Sequence, residues 1–226
     1  MASRVFVWLG GALFTGSLTF CVYVYVFRWS QPWSPAVRPN AIAIDCALLT
    51  VFAMHHSVFA REGVKAWLAH TVPRDLTRSV YVWIASVLLI AACALWQPVG
   101  GEIFASSGTT AWLHAALQLA GVGLIVGAVA TIDPLELAGI RQHTTVGALQ
   151  IAGPYRLVRH PLYLGWLMAT FGAARMTGDR LTFAIVTAMY LFAAVPWEER
   201  SLVNAFGEDY VRYQRSVRWR IVPFIY

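Results

Sequence analysis

Six mainly apolar stretches divide the chain, at 5–27, 41–60, 79–97, 111–132, 162–176 and 182–197. A helix that crosses a bilayer needs about 20 such residues, so the first four predict spanning helices. The last two are shorter and are separated only by Thr177 to Leu181, where Gly178 and Asp179 supply turn chemistry. They predict a tight helical hairpin. Polar breaks fall between the runs, at Trp29-Ser30-Gln31-Pro32 and at Gln97-Pro98. The first run is long and has no small-residue cleavage site at its end, which predicts a retained helix. The expected fold class is therefore all-α: a polytopic membrane protein with four spanning helices, a C-terminal helical hairpin and a cytoplasmic tail helix.

Composition agrees with this pattern and narrows it. Of 226 residues 58% are apolar and 12% charged, with a mean hydropathy of +0.60. A soluble domain carries about 25% charged residues, so a soluble enzyme is excluded. The cations also choose sides. Arg4, Arg61, Lys65, Arg74, Arg78, Arg141, Arg156, Arg159, Arg200, Arg212, Arg215, Arg218 and Arg220 fall at one end of the predicted helices. Only Arg28, Arg38, Arg175 and Arg180 fall at the other. By the positive-inside rule both termini are cytoplasmic, and anionic headgroups make membrane lipids the expected partners of the basic loops. No basic stretch is interleaved with aromatics outside the tail, so no nucleic acid is expected. Cys21, Cys46 and Cys93 lie far apart within apolar runs and read as buried small hydrophobes; no metal site is expected.

Two features carry candidate chemistry. The first is Gly153-Pro154-Tyr155-Arg156-Leu157-Val158-Arg159-His160-Pro161-Leu162-Tyr163-Leu164-Gly165. Gly-Pro makes a turn, and His160-Pro161 opens a helix, since proline is tolerated in the first turn. A helix N-terminus there suits an anionic group of a ligand, and an interfacial belt of Arg and Tyr is the plainer reading. The second is Glu198-Glu199, directly after the sixth run, followed by Phe206-Gly207-Glu208-Asp209-Tyr210 and Tyr213. Paired carboxylates at a membrane boundary are costly unless they hold something. A ligand's ammonium or sulfonium is one partner; the plainer reading is a solvated helix start, with Glu198 and Glu199 capping the tail helix against Arg200 and Arg215.

Taken together, Arg-His-Pro-x-Tyr-x-Gly, a hairpin, and then Glu-Glu-x-x-Leu-x-x-x-Phe-Gly-x-x-Tyr-x-x-Tyr resemble the integral-membrane methyltransferases related to isoprenylcysteine carboxyl methyltransferase and the phospholipid methyltransferases. The resemblance covers residues 150–226. It implies S-adenosyl-L-methionine as cofactor, bound by Tyr155, His160, Pro161, Leu162 and Tyr163, with Glu198 and Glu199 near its amino-acid or ribose part. It further implies that Gly147, Ala148, Leu149 and Gln150 cradle the adenosyl group and that Gln142 adds a polar contact. Residues 1–132 are then a transmembrane scaffold with a possible substrate cavity, and 133–226 the cofactor-binding catalytic region. Gly121-Val122-Gly123 resembles a cofactor motif of phospholipid members, while Gly123 and Gly127 fit helix packing equally well.

The methyl acceptor divides the branches. Prenylcysteine members place an arginine one turn before the Glu pair, where this chain has Ala194. The run from Met54-His55-His56 through Trp67, Val72-Pro73, Trp96-Gln97-Pro98 and Gly139-Ile140-Arg141-Gln142 is similar to bacterial methanethiol S-methyltransferases and NnrU-like proteins. That similarity implies a bacterial inner-membrane enzyme that methylates a small thiol to a thioether. The alternative acceptor is lipid-like, a prenylcysteine carboxylate or a phospholipid amine. A thiol reacts as thiolate, so a base is expected, and His55 and His56 are the candidates for catalysis. Asp45 shares a face with His56 but lies about 16 Å along the helix, too far for a direct bond. His114 reads as a core or interfacial residue. Asp45, His55 and His56 within an apolar run also admit a transporter or sensor subunit.

Overall fold

In the computed structural model the chain is described over residues 2–59, 63–64, 67, 70, 72–73, 76–132, 134–141 and 148–226. Among the described residues five helices are long and apolar enough to cross a membrane. They are α1 (Ala2–Tyr23, prolonged by a π-helical turn at Val24–Arg28), α2 (Pro39–Phe59), α3 (Thr77–Ala94), α4 (Gly108–Ala130) and α6 (Gly178–Phe206). Between α4 and α6 lies the shorter α5 (Pro161–Phe171), and α7 (Glu208–Ser216) follows α6. Two short strands, β1 (Glu102–Ala105) and β2 (Arg175–Thr177), pair with each other. Contacts divide the chain into two units. The first holds Met1–Glu102, Pro134–Gln142 and Thr177–Thr182; the second holds Ile103–Asp133, His143–Met176 and Phe183–Tyr226.

In the first unit, α1 packs on α3 and α3 on α2. Where α1 widens into its π-turn, the carbonyls of Tyr25 and Val26 accept from a side chain distant in sequence. Arg180 supplies both bonds, Nε to Tyr25 O at 3.1 Å and a terminal guanidinium nitrogen to Val26 O at 3.0 Å. Its guanidinium also lies 5.0 Å from the Tyr25 ring centroid. Water is scarce among apolar helices, so an unmet carbonyl there costs free energy, and the buried arginine removes that cost. Asp179, next to it, accepts from Trp96 Nε1 at 2.8 Å and from Val99 N at 3.0 Å. Asp45 accepts from Gln97 N at 2.8 Å. Two buried carboxylates thus anchor the loop that follows α3. Gly100 in that loop has φ +79°, and a Cβ there would stand 2.5 Å from Ala36 O, so only glycine fits. Cys21 and Cys93, distant in sequence and expected to be buried small hydrophobes, are buried free thiols that α1 and α3 bring side chain to side chain.

In the second unit, α4 and α5 pack with almost no space between backbones. A Cβ on Gly121 would fall 2.6 Å from Gly165 O, and one on Gly165 would fall 2.6 Å from Gly121 O. Small residues at a helix crossing let dispersion act between the chains where lipid removes the hydrophobic drive. This corrects the expected packing glycines: Gly121 makes the contact, whereas a Cβ on Gly123 would meet nothing within 4 Å and one on Gly127 would meet only Pro154. At 11 residues α5 is about 16 Å long, roughly half a bilayer core. The chain continues past it in non-helical form, with backbone bonds met by neighbours. His114 Nδ1 lies 3.2 Å from Gly172 O, Gln118 Nε2 donates to Ala169 O at 2.8 Å, and Ser106 N donates to Ala174 O at 2.8 Å. The last helical turn is therefore capped by polar side chains one turn apart on α4, which gives His114 a structural role.

The sixth apolar run was expected to stop at 197, with Glu198-Glu199 beginning a tail helix. Instead α6 runs through Pro196 to Phe206 and is stopped by Gly207 at φ +55°. Val195 is fully buried with Val158, Leu164 and Ile221, and this packing carries the helix past the missing proline N–H. Gly121→Leu should cost roughly 1–3 kcal/mol by overpacking the α4–α5 seam, seen as a lower melting temperature in detergent. Gly123→Leu, with open space at the same helix, should leave that temperature nearly unchanged.

Candidate functional site

The second unit gathers its charged residues where α5 begins. Gly153–Arg156 forms a 3-10 turn with Pro154 in its first turn. His160 then precedes Pro161 as the N-cap position of α5. The backbone at this point is fastened to the tail: Arg159 N donates to Trp219 O at 2.9 Å and His160 N to Arg220 O at 2.8 Å. Neighbouring side chains along a helix point about 100° apart. Glu198 and Glu199 on α6 therefore leave in different directions and meet different partners.

Glu199 points inward and is 5% exposed. Its Oε1 accepts from Arg159 Nε at 2.6 Å, and its Oε2 lies 3.2 Å from Arg220 Nε. Gln214 Nε2 reaches Oε2 at 3.4 Å. Arg159, itself buried, spends a terminal nitrogen on the carbonyls of Val217 and Arg218 at 2.8 and 2.9 Å. One carboxylate thus binds α6 to the α5 entry and to the tail at once. Arg220 is further held by Tyr226, whose hydroxyl lies 3.0 Å away and whose ring centroid lies 5.1 Å from the guanidinium carbon.

Glu198 points outward and its side chain is 43% exposed. Tyr163 donates its hydroxyl to Glu198 Oε2 at 2.6 Å, and His160 Nδ1 lies 3.6 Å from the same oxygen. The His160 and Tyr163 rings stack at 5.3 Å. On its other side, His160 Nε2 is 3.5 Å from Glu199 Oε1. The imidazole therefore lies between the two acids, one buried and one accessible. Tyr213 donates to Tyr155 O at 2.7 Å and so fixes the 3-10 turn over α7. Burial raises the phenols of Tyr210 and Tyr213 above their ordinary value, which keeps both protonated and Tyr213 able to donate. Tyr155 is raised as well, first by burial and also by the charge of Glu198, against a hydrogen bond with Thr131.

Of the residues expected to bind cofactor, Tyr155, His160, Pro161, Tyr163, Glu198 and Glu199 belong to this constellation. Leu162 is half-buried in the first turn of α5. Ala148 and Gln150 are exposed. Leu149 lines a cavity of about 790 Å³ with Ile151, Arg156, Arg212 and Tyr213. Gln142 and Gly147 lie outside the described residues. Arg159, Arg220 and Gln214 were not singled out from sequence, although a buried acid requires cations and the tail is where they are densest. The alternative partners of the acids, Arg200 and Arg215, are replaced by Arg159 and Arg220.

His55 and His56 belong to the first unit, near the end of α2. His55 Nε2 lies 3.4 Å from Tyr81 O on α3, and the two rings stack at 5.4 Å. His56 Nδ1 is in hydrogen-bond contact with the Tyr81 hydroxyl. Asp45 takes no part in this group, since its bonded oxygen faces the loop after α3. Among the described residues no cluster could hold a metal ion.

With this geometry in hand, known proteins provide a comparison. The sequence profile of the phospholipid methyltransferase family matches residues 109–209, a span that begins in α4 and ends just inside α7. A methanethiol S-methyltransferase of Pseudomonas deceptionensis is 36% identical over 190 residues, 79% of this chain and 72% of that protein. One from Crocosphaera subtropica is 34% identical over 242 residues, 99% and 94% of the two chains. Nurim of Xenopus laevis is 31% identical over 205 residues, 81% and 68% of the two. No solved structure matches the chain.

Removing one member of a buried ion pair strands the other and costs roughly 3–5 kcal/mol. Arg159→Met should therefore destabilise the protein strongly in a detergent melt. Glu198→Gln, at an exposed carboxylate, should change stability by less than about 0.5 kcal/mol.

Proposed function

The chain belongs to the integral-membrane methyltransferase family that includes the methanethiol S-methyltransferases, and from this we propose that it transfers the methyl group of S-adenosyl-L-methionine to a small thiol such as methanethiol. The observation that carries the reading is the division of labour within the Glu pair. Glu199 is neutralised by Arg159 and Arg220, so Glu198 is the carboxylate left to meet a cation. An accessible acid, with Tyr163 and His160 on it, fits the positively charged amino-acid and sulfonium groups of that cofactor by donor chemistry. When bound, the cofactor supplies an electrophilic methyl carbon on a sulfonium.

The chain's own residues do the rest. Glu198, Tyr163, His160 and Tyr155 hold the cofactor's polar groups, with Pro161 and Leu162 as apolar walls. Glu199 belongs to the same site by fixing His160 and the entry to α5. Ala148, Leu149 and Gln150, with Gln142 and Gly147, are assigned to the adenosyl end. His55 and His56 act on the acceptor, taking the thiol's proton and steadying the sulfur. Residues 1–132 serve as scaffold and acceptor cavity and 133–226 as the donor-binding region. The enzyme resides in a bacterial inner membrane with both termini cytoplasmic, as the cation asymmetry supports. A small thiol is favoured over a prenylcysteine because Ala194 leaves a substrate carboxylate without its arginine.

Calorimetry on purified protein should show saturable S-adenosyl-L-methionine binding. Glu198→Ala, losing a charge-assisted contact of about 1.5–3 kcal/mol, should weaken it by roughly tenfold or more. Isotope-labelled cofactor with methanethiol should give volatile labelled dimethyl sulfide. Label found only in the lipid extract would assign the acceptor to the lipid-like class, and absence of cofactor binding in folded protein would refute the reading.

A further inference from the structure

The chain after α7 turns back among the helices it has left. Ile221 is fully buried with Val158, Leu164 and Val195, and Val222 and Tyr226 pack on that cluster, as do Leu167, Met168 and Phe192. The Tyr226 ring meets the Phe192 ring at 5.4 Å. Phe192 stands six residues before Glu198 on α6, and Leu167 six residues after Pro161 on α5. At 1.5 Å per residue, each lies about 9 Å further into the apolar run than the Glu pair or the α5 entry. The tail therefore reaches below the level of the charged site.

Two large side chains at the tip of this turn touch little protein: Phe224 is 84% exposed and Ile225 80%. We propose that Phe224 and Ile225 are a membrane anchor, seated among the acyl chains of the leaflet at which α5 begins. The anchor goes beyond the methyl-transfer reading and does not depend on it.

The backbone of the turn suits a place in hydrocarbon, where polar groups must be met from within the chain. Arg220, Ile221 and Val222 donate their N–H groups to Tyr226 O at 2.9, 2.9 and 3.1 Å. Ile225 and Tyr226 donate theirs to Val222 O at 3.2 and 3.0 Å. Pro223 has no N–H to satisfy. Of the turn's donors only Phe224 N lacks a backbone partner among the described residues.

Charge and strain point the same way. Arg215 and Arg218, both exposed, precede the turn, and half-buried Trp219 follows them, its ring 5.5 Å from that of Phe224. Cations, an aromatic and then an apolar tip follow the order of headgroups, interface and acyl chains. Phe224 is also the one non-glycine residue at positive φ among the described residues, at +66°. A bulky side chain rarely adopts that region. Transfer of two large apolar side chains from water to lipid offsets the strain, whereas a tip left in water has nothing to offset it. Seating the tip also holds Arg220, which neutralises Glu199.

The test uses the full chain in nanodiscs of phosphatidylcholine and phosphatidylglycerol. Ile225→Cys, in a background of Cys21→Ser, Cys46→Ser and Cys93→Ser, is labelled with bimane; Ala205→Cys, at an exposed position near the end of α6, is the water-facing control. A nitroxide on the lipid acyl chain should quench the label at 225 and iodide should not, with the reverse at 205. Quenching at 225 by iodide would put the tip in water and overturn the proposal. Quenching by neither would mean that protein covers the tip, a second copy of this chain included, and would overturn it equally. Should the cysteine-free background fail to fold, Phe224→Asn with Ile225→Asn decides on the chain with its own cysteines. Asparagine tolerates positive φ better than phenylalanine, so a tip in water should keep or gain order. A tip in lipid should be released, with hydrogen exchange at Arg220, Ile221 and Val222 faster by about tenfold or more. Unchanged or slower exchange there would overturn the anchor.

Discussion

The second unit depends on one buried carboxylate. Glu199 is a charge taken out of water, which by itself is unfavourable; two guanidinium groups and a glutamine amide make it tolerable. Because Arg159 precedes α5 and Arg220 lies in the tail, satisfying this single acid dictates where both segments run. The backbone bonds from Arg159 and His160 to Trp219 and Arg220 follow from that placement. So does the position of His160, which ends between the two acids. The ion pair is best regarded as a specifier of geometry more than as a source of net stability.

The same concern for polar groups out of water explains the irregularities elsewhere. The π-turn of α1 releases carbonyls, and Arg180 takes them up. The early end of α5 releases others, and His114 and Gln118 take those up. Asp45 and Asp179 hold loop amides. Residues that look functional because they are polar in an apolar run are largely occupied with neighbouring backbone. This weakens the transporter reading of Asp45.

The helices were legible because lipid imposes a length and an apolar composition on them, and the six runs correspond to α1–α6. The ends were less legible. Residue 197 looked like a terminus because Pro196 and two acids follow an apolar run, yet α6 continues, since Val195 packs against Val158 and Ile221 and Glu199 finds cations far away in sequence. Glu198, Tyr163 and His160 were implied as members of one site by the resemblance of their two motifs to a known family. Arg159, Arg220 and Tyr81 were not, because each matters through a partner that only folding brings near. Gly121 was misjudged against Gly123 for a related reason: a glycine motif does not say which of its members faces the neighbouring helix.

The Gly121–Gly165 crossing also bears on traffic. Backbones that approach until no Cβ fits between them leave no gap for an acyl or prenyl chain to slide through sideways. The seam between α4 and α5 is therefore closed to lateral entry from the bilayer at that depth. A long hydrophobic acceptor would need another route to the residues at the start of α5, whereas a volatile molecule of a few atoms is not held to any such doorway.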